Sequence, residues 1–71
     1  MELETIIAKN LKELRKQFGL TQKEIANKLG VAYQTYQAYE LGTNIPTIKR
    51  LIALADFYDV SLDYLVNRKE Y

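Results

Sequence analysis

The chain has neither cysteine nor histidine. The first absence excludes a disulfide framework, a Cys-based zinc site and a thiol nucleophile; the second removes the commonest general base and metal ligand. Three glycines and one proline in 71 residues leave no room for collagen-like, linker-like or turn-rich architecture. Uninterrupted apolar stretches are only a few residues long, far from the ~20 a membrane span requires. Nor does the start, Met1-Glu2-Leu3-Glu4, resemble a signal peptide, which would be basic and then apolar. What is present is globular composition, 48% hydrophobic and 27% charged. These features predict one soluble, cytoplasmic domain, residues 1–71, with no sensor domain, whose work is binding. No metal, cofactor, membrane partner or small-molecule ligand is implied. Catalysis would need paired carboxylates, and the acidic residues that cluster lie at helical spacing on a face that reads as solvated.

Net charge is only +1, but its distribution is uneven. Residues 9–28 hold Lys9, Lys12, Arg15, Lys16, Lys23 and Lys28 against Glu13 and Glu24. Residues 51–66 hold Asp56, Asp59 and Asp63 with no base. The domain thus has a positive end and a negative end, which should do different things.

Apolar spacing predicts an all-α, compact five-helix bundle. Ile7, Leu11, Leu14 and Phe18 form one face of the first helix, which Gly19 stops. Thr21 and Glu24 read as a capping box opening the second helix, with Ile25, Ala26 and Leu29 inward and Gly30 at its end. A third helix runs from about Ala32 to Glu40 with Val31, Tyr36 and Tyr39 inward, and Gly42 ends it. Thr47 caps a fourth, with Ile48, Leu51, Leu54, Ala55 and Tyr58 on its inner face. Ser61 caps a last short helix carrying Leu62 and Leu65.

Residues 21–40 carry the function. Two helices joined across Gly30 must cross steeply, with Ala26 small at the closest approach. That is the spacing of a helix-turn-helix, whose second helix can enter a DNA major groove; an αα-hairpin without a ligand is the alternative. The outer face of the third helix separates the two. If Tyr36 and Tyr39 point inward, Tyr33, Gln34, Gln37 and Ala38 cannot all be core. Glutamine matches the N6 and N7 of adenine, and tyrosine or alanine suits a thymine methyl. A merely solvated face would carry more Lys and Glu, yet no charge lies between Val31 and Ala38. A protein-binding surface, where tyrosine is also enriched, is the competing reading, and an antitoxin-like protein would combine both.

Phosphate clamps are available on either side. Thr21 and Gln22 stand at the start of the second helix, where free N–H groups and the dipole favour an anion. The loop Leu41-Gly42-Thr43-Asn44 offers short polar groups, and Lys12, Lys16 and Lys23 supply positive charge. Lys49 and Arg50 lie near the start of the fourth helix, against its dipole, which hints at an external anion.

The run from Leu11 through Phe18-Gly19-Leu20-Thr21-Gln22 to Gly30-Val31 closely resembles the Cro and phage-repressor-like, or Xre, helix-turn-helix family. So do Tyr39-Glu40-Leu41-Gly42, Pro46-Thr47, Leu51, Leu54-Ala55 and Val60-Ser61-Leu62-Asp63-Tyr64-Leu65. The likeness covers roughly residues 6–66. It implies a five-helix DNA-binding domain of bacterial or phage transcriptional regulators, with double-stranded DNA as partner. It implies a phosphate contact at Gln22, base-facing positions at Ala32, Tyr33, Gln34, Gln37 and Ala38, and a phosphate-binding loop at Thr43 and Asn44. It also implies a structural pair, Arg15 with Glu40. Ala32 departs from the capping Ser or Thr common in the family, and Tyr36, Ala38 and Leu41 depart as well.

The fourth and fifth helices hold more large apolar groups than a small core obviously needs: Phe57, Tyr58, Tyr64, Leu65 and Val66. These are the candidates for a homodimer contact, since the family's last helix commonly forms one, setting recognition helices about 34 Å apart. Alternatively Tyr58 and Leu65 complete the core, leaving Phe57 and Tyr64 as scattered exposed aromatics.

Overall fold

The computed structural model describes residues 2–68 and is helical, with no strand among them. The order is α1 (Leu3–Gln17), α2 (Gln22–Leu29), α3 (Tyr33–Leu41), α4 (Ile48–Tyr58) and α5 (Leu62–Leu65). α1 packs against α3 and α5, and α2 against α3 and α4. The core joins Ile7, Leu11 and Leu14 of α1 to Ile25 and Ala26 of α2 and to Tyr36 and Tyr39 of α3. Leu51, Leu54, Ala55 and Tyr58 of α4 and Leu65 of α5 complete it. No helix of the described residues is long and apolar enough to cross a membrane.

The helix starts follow the sequence signals. Thr21 and Glu24 form the reciprocal capping box, and Thr47 and Ser61 accept from the backbone N–H of Arg50 and Tyr64. α3 begins at Tyr33 behind Ala32, which makes no side-chain cap. The helix ends share one device. After each helix a residue with positive φ is followed by a backbone N–H that reaches the carbonyl five residues back. The positive-φ residues are Gly19, Gly30, Gly42, Asp59 and Asn67. The closing bonds are Leu20 to Arg15, Val31 to Ala26, Thr43 to Ala38, Val60 to Ala55 and Arg68 to Asp63, at 2.8–3.1 Å. This is the Schellman closure. Composition marked the three glycines as stops; Asp59 and Asn67 do the same work without glycine, as short polar side chains tolerate the left-handed region.

Two apolar assignments need correction. Phe18 is 49% exposed, although its backbone is still helical and its N–H reaches the Leu14 carbonyl; at the end of the row it is covered on one side, by Phe57 and by Tyr58, to which it lies edge-on with centroids 4.9 Å apart. Ile48 is 60% exposed: as the first residue of α4 it shares the outward row of Ile52, not the inward row of Leu51. The proposed dimer group also divides. Tyr58 and Leu65 are core, 2% and 0% exposed, and present no surface to a partner. Phe57 and Val66 are half-buried against that core, and Tyr64 is exposed.

A neutral amide ties the two ends of the chain together. Asn10, buried on α1, donates to the carbonyls of Tyr64 (3.1 Å) and Leu65 (2.9 Å) and to the Asn67 Oδ1 (3.2 Å). These groups close the C-terminus of α5, whose last carbonyls lack intrahelical donors. A four-residue helix has little stability of its own, so α5 is held by Leu65 in the core and by this amide.

Candidate nucleic-acid interface

The angle between α2 and α3 is set at Gly30. Its φ of 72° and ψ of 32° are readily adopted without a Cβ, and α3 begins three residues later. Ala26, 1% exposed, sits under the turn and accepts the Val31 N–H. At the other end of α3, the backbone of Gly42 lies against Glu4 and Ala8 of α1. α3 is therefore gripped at both ends, and its inner face is filled by Tyr36 and Tyr39, packed edge to face.

A buried polar cluster fixes its rotation. Glu40 has a side chain only 4% exposed and takes Arg15 Nε on Oε2 at 2.7 Å and Nη2 on Oε1 at 3.0 Å. Gln22 Nε2 also donates to Oε1, at 3.1 Å, and the Tyr36 hydroxyl donates to Oε2. Arg15 uses Nη1 on the Leu20 carbonyl at 2.9 Å, so one guanidinium joins α1, the α1–α2 turn and α3. Bidentate pairing of this kind fixes geometry as well as charge. Burial pushes the Glu40 carboxyl upward, but the bonds from Arg15, Tyr36 and Gln22 outweigh it and hold the group below its ordinary value. Burial, and then its bond to Glu40, drives the Tyr36 hydroxyl far above its ordinary value. Tyr58, pushed up to about 12 by burial first and the Glu40 charge second, stays a neutral phenol beside this cluster.

With α3 so fixed, its other side faces out. Ala32 and Gln34 are exposed, and Tyr33, Gln37 and Ala38 are half-buried. Lys23 Nζ stands 5.4 Å from the Tyr33 ring centroid, which joins a lysine of α2 to the first residue of α3 by a cation–π contact. A shallow cleft of about 150 Å³ is lined by Lys12, Arg15, Gln22, Gln37, Glu40 and Leu41. The fold thus brings Lys12, Gln22 and Gln37 to one place, although they come from three helices. Thr21 and Lys16 are exposed outside this cleft. Thr43 and Asn44 are exposed as well, but the Thr43 hydroxyl reaches the Ala38 carbonyl at 3.4 Å and so closes α3.

Two features of the site were not expected from sequence. The Gln22 side chain is a member of the Glu40 cluster, with one N–H already committed. Leu41 is the last residue of α3, not part of a polar loop, and at 75% exposed it forms an apolar rim to the cleft.

α2 and α3, joined across Gly30, form a two-helix unit with α1 packed against α3, and a family model described as helix-turn-helix matches residues 11–65. The chain belongs to the helix-turn-helix family of Cro/C1 type. It is similar to the uncharacterized HTH-type transcriptional regulator YqaE of Bacillus subtilis (strain 168), 49% identical over 61 residues. That match covers 86% of this chain and 53% of YqaE. It is similar to the cryptic phage CTXphi transcriptional repressor RstR of Vibrio cholerae, 38% identical over 65 residues, covering 92% of this chain and 59% of RstR. Among solved structures, a transcriptional regulator from Listeria innocua superposes with a TM-score of 0.84 at 37% identity. It covers 92% of this chain and 61% of its own. This helix-turn-helix chain spans about half the length of the curated relatives it matches.

Proposed function

We propose that the chain is a sequence-specific double-stranded DNA-binding transcriptional regulator that represses by occupying an operator, with α3 in the major groove. The observation that supports this most directly is the Glu40 cluster. It turns Tyr36 and Tyr39 inward and so leaves Tyr33, Gln34 and Gln37 outward, beside Lys12 and Lys23. In this reading Gln34 and Gln37 read base edges by paired donor and acceptor, with Ala32, Tyr33 and Ala38 in apolar or polar contact around them. At the start of α2 the Thr21–Glu24 capping box leaves the N–H groups of Gln22 and Lys23 for a phosphate, with the Thr21 hydroxyl beside them, and the Gln22 side chain is oriented by Glu40. Lys12, Lys16 and Lys23, with Thr43 and Asn44 beyond α3, hold the backbone and set the register. The domain acts as a homodimer on DNA, in the cytoplasm, bound to the nucleoid at its operator. The repressor named among its relatives agrees with this mode of action.

Selection of bound duplexes from a random pool, followed by salt titration on the enriched duplex, tests the proposal. The expected result is a twofold-symmetric motif bound with a log–log salt slope of about −0.9 per phosphate contact. A pool with no enriched sequence, or binding indifferent to salt, would refute it and favour a protein partner for the same face.

A further inference from the structure

Exposed apolar side chains are not spread evenly over the described residues. Ile45, Ile48 and Ile52 are 41%, 60% and 48% exposed, and Ile48 and Ile52 occupy one i, i+4 row of α4. Asp56 continues that row and Lys49 lies beside it, both exposed; the ion pair found among the described residues joins Arg15 to Glu40 instead. Both charges stand against the helix dipole. α4 has no acid in its first turn and no base in its last; Lys49 is near its positive end and Asp56 near its negative end. A helix face in contact with solvent alone is favoured by the reverse arrangement.

We propose that this face of α4 is a self-association surface, on which a second copy of the chain docks its own α4 antiparallel, across a twofold axis at Ile52. The charge pattern selects both the partner and the orientation. Lys49 is three residues before Ile52 and Asp56 four after, about 4.5 Å and 6 Å along the axis at 1.5 Å per residue. Antiparallel docking therefore sets Lys49 level with Asp56 of the partner subunit to within about 1.5 Å, twice over. Parallel docking would set lysine on lysine and aspartate on aspartate. Ile52 meets Ile52 of the partner subunit on the axis, and Ile48 flanks it. The same patch serves both copies, as a closed twofold contact requires. This deepens the dimer in the function proposed above and rests on that reading, but places the contact on α4, since Tyr58 and Leu65 are spent on the core.

Sedimentation equilibrium of the chain without DNA, at concentrations up to the millimolar range, tests the surface separately from DNA binding. The expected result is a reversible dimer that Ile52→Asp abolishes. Lys49→Glu and Asp56→Lys should each weaken it by about tenfold or more, since each sets like charges opposite one another, and the double reversal should restore it. Each single reversal also favours the α4 dipole, so lost association does not report a lost fold. A monomer at every concentration, a dimer indifferent to Ile52→Asp, or a double reversal no better than the singles would overturn the proposal. So would Lys49→Glu weakening only duplex binding, which would give Lys49 to a phosphate. Failure of the DNA reading shows instead as an unenriched duplex pool while the dimer persists.

Discussion

α1 holds the two halves of the molecule by different chemistry. Toward α2 and α3 it extends Arg15, an ion that meets the buried carboxylate of Glu40. Toward α5 it extends Asn10, a neutral amide that meets backbone carbonyls. The helices on the two sides also differ in how they begin: α4 and α5 have side-chain caps from Thr47 and Ser61, whereas α3 starts behind Ala32 with none. α3 is thus weak in local signals and strong in one long-range charged contact. The α4–α5 half has the opposite balance. Orientation of α3 therefore depends on a charged contact that acid can weaken, while the far side depends on a neutral amide.

The largest expected effect tests the charged side. Glu40→Ala leaves Arg15, Tyr36 and Gln22 without their acceptor, and loss of one partner of a buried pair costs about 3–5 kcal/mol. Denaturant unfolding should show that fall; a loss below about 1 kcal/mol, the scale of a surface pair, would put Glu40 in effective contact with water. On the neutral side, Asn10→Ala removes the donor to the buried Leu65 carbonyl and one of the two donors to that of Tyr64, and about 1–3 kcal/mol is expected by the same measurement. Amide exchange should rise first in residues 62–65 and not in α3. An equal rise in α3 would remove the distinction between the halves.

Gln34→Ala alters neither anchor. It should leave the melting temperature unchanged and cost about 1–3 kcal/mol of discrimination at one base pair of the enriched duplex. Uniform weakening on all duplexes would demote Gln34 to a backbone contact.

Acid should separate the halves without mutation. The Glu40 carboxyl is held below its ordinary value near 4.5, so the folded state binds this proton less readily than the unfolded chain. Its contribution is complete above pH 4.5 and is lost as pH falls through the lower folded value. Unfolding midpoints followed from pH 7 down to 3 should therefore fall more for the native chain than for Glu40→Gln, which has no such proton. Parallel curves would mean the cluster is not the acid-labile element. The smallest effect concerns the missing cap. Ala32→Ser should raise stability by about 1 kcal/mol, and no gain in denaturant midpoint would mean that α3 is already fixed by its long-range contacts.

Local features of this architecture were legible in the residues themselves. Thr21, Glu24, Thr47 and Ser61 act within three residues of their own position, and the glycines that stop α1, α2 and α3 do so through backbone freedom alone. The Arg15–Glu40 pair came from family resemblance, because nothing local joins residues 25 apart. Asn10 was missed for that reason: an amide on a helix gives no sign that it will meet a carbonyl 54 residues away. Ile48 failed differently. Helical spacing defines apolar rows but does not say which of two adjacent rows meets the core, and that choice is made by how the neighbouring helices dock. Tyr58 and Leu65 show the converse, since surplus apolar residues near the end of the chain were needed inside.

The left-handed closures have a consequence for how the molecule assembles. Because each helix is stopped by a residue of its own and a carbonyl five positions back, the end of each rod is encoded locally, although helices this short persist only once docked. What remains of the folding search is the docking of these short helices, with α1 meeting α3 and α5 rather than its neighbour in sequence. Helical bundles fold in microseconds to milliseconds. A single fast relaxation in temperature-jump experiments is the expected kinetic signature.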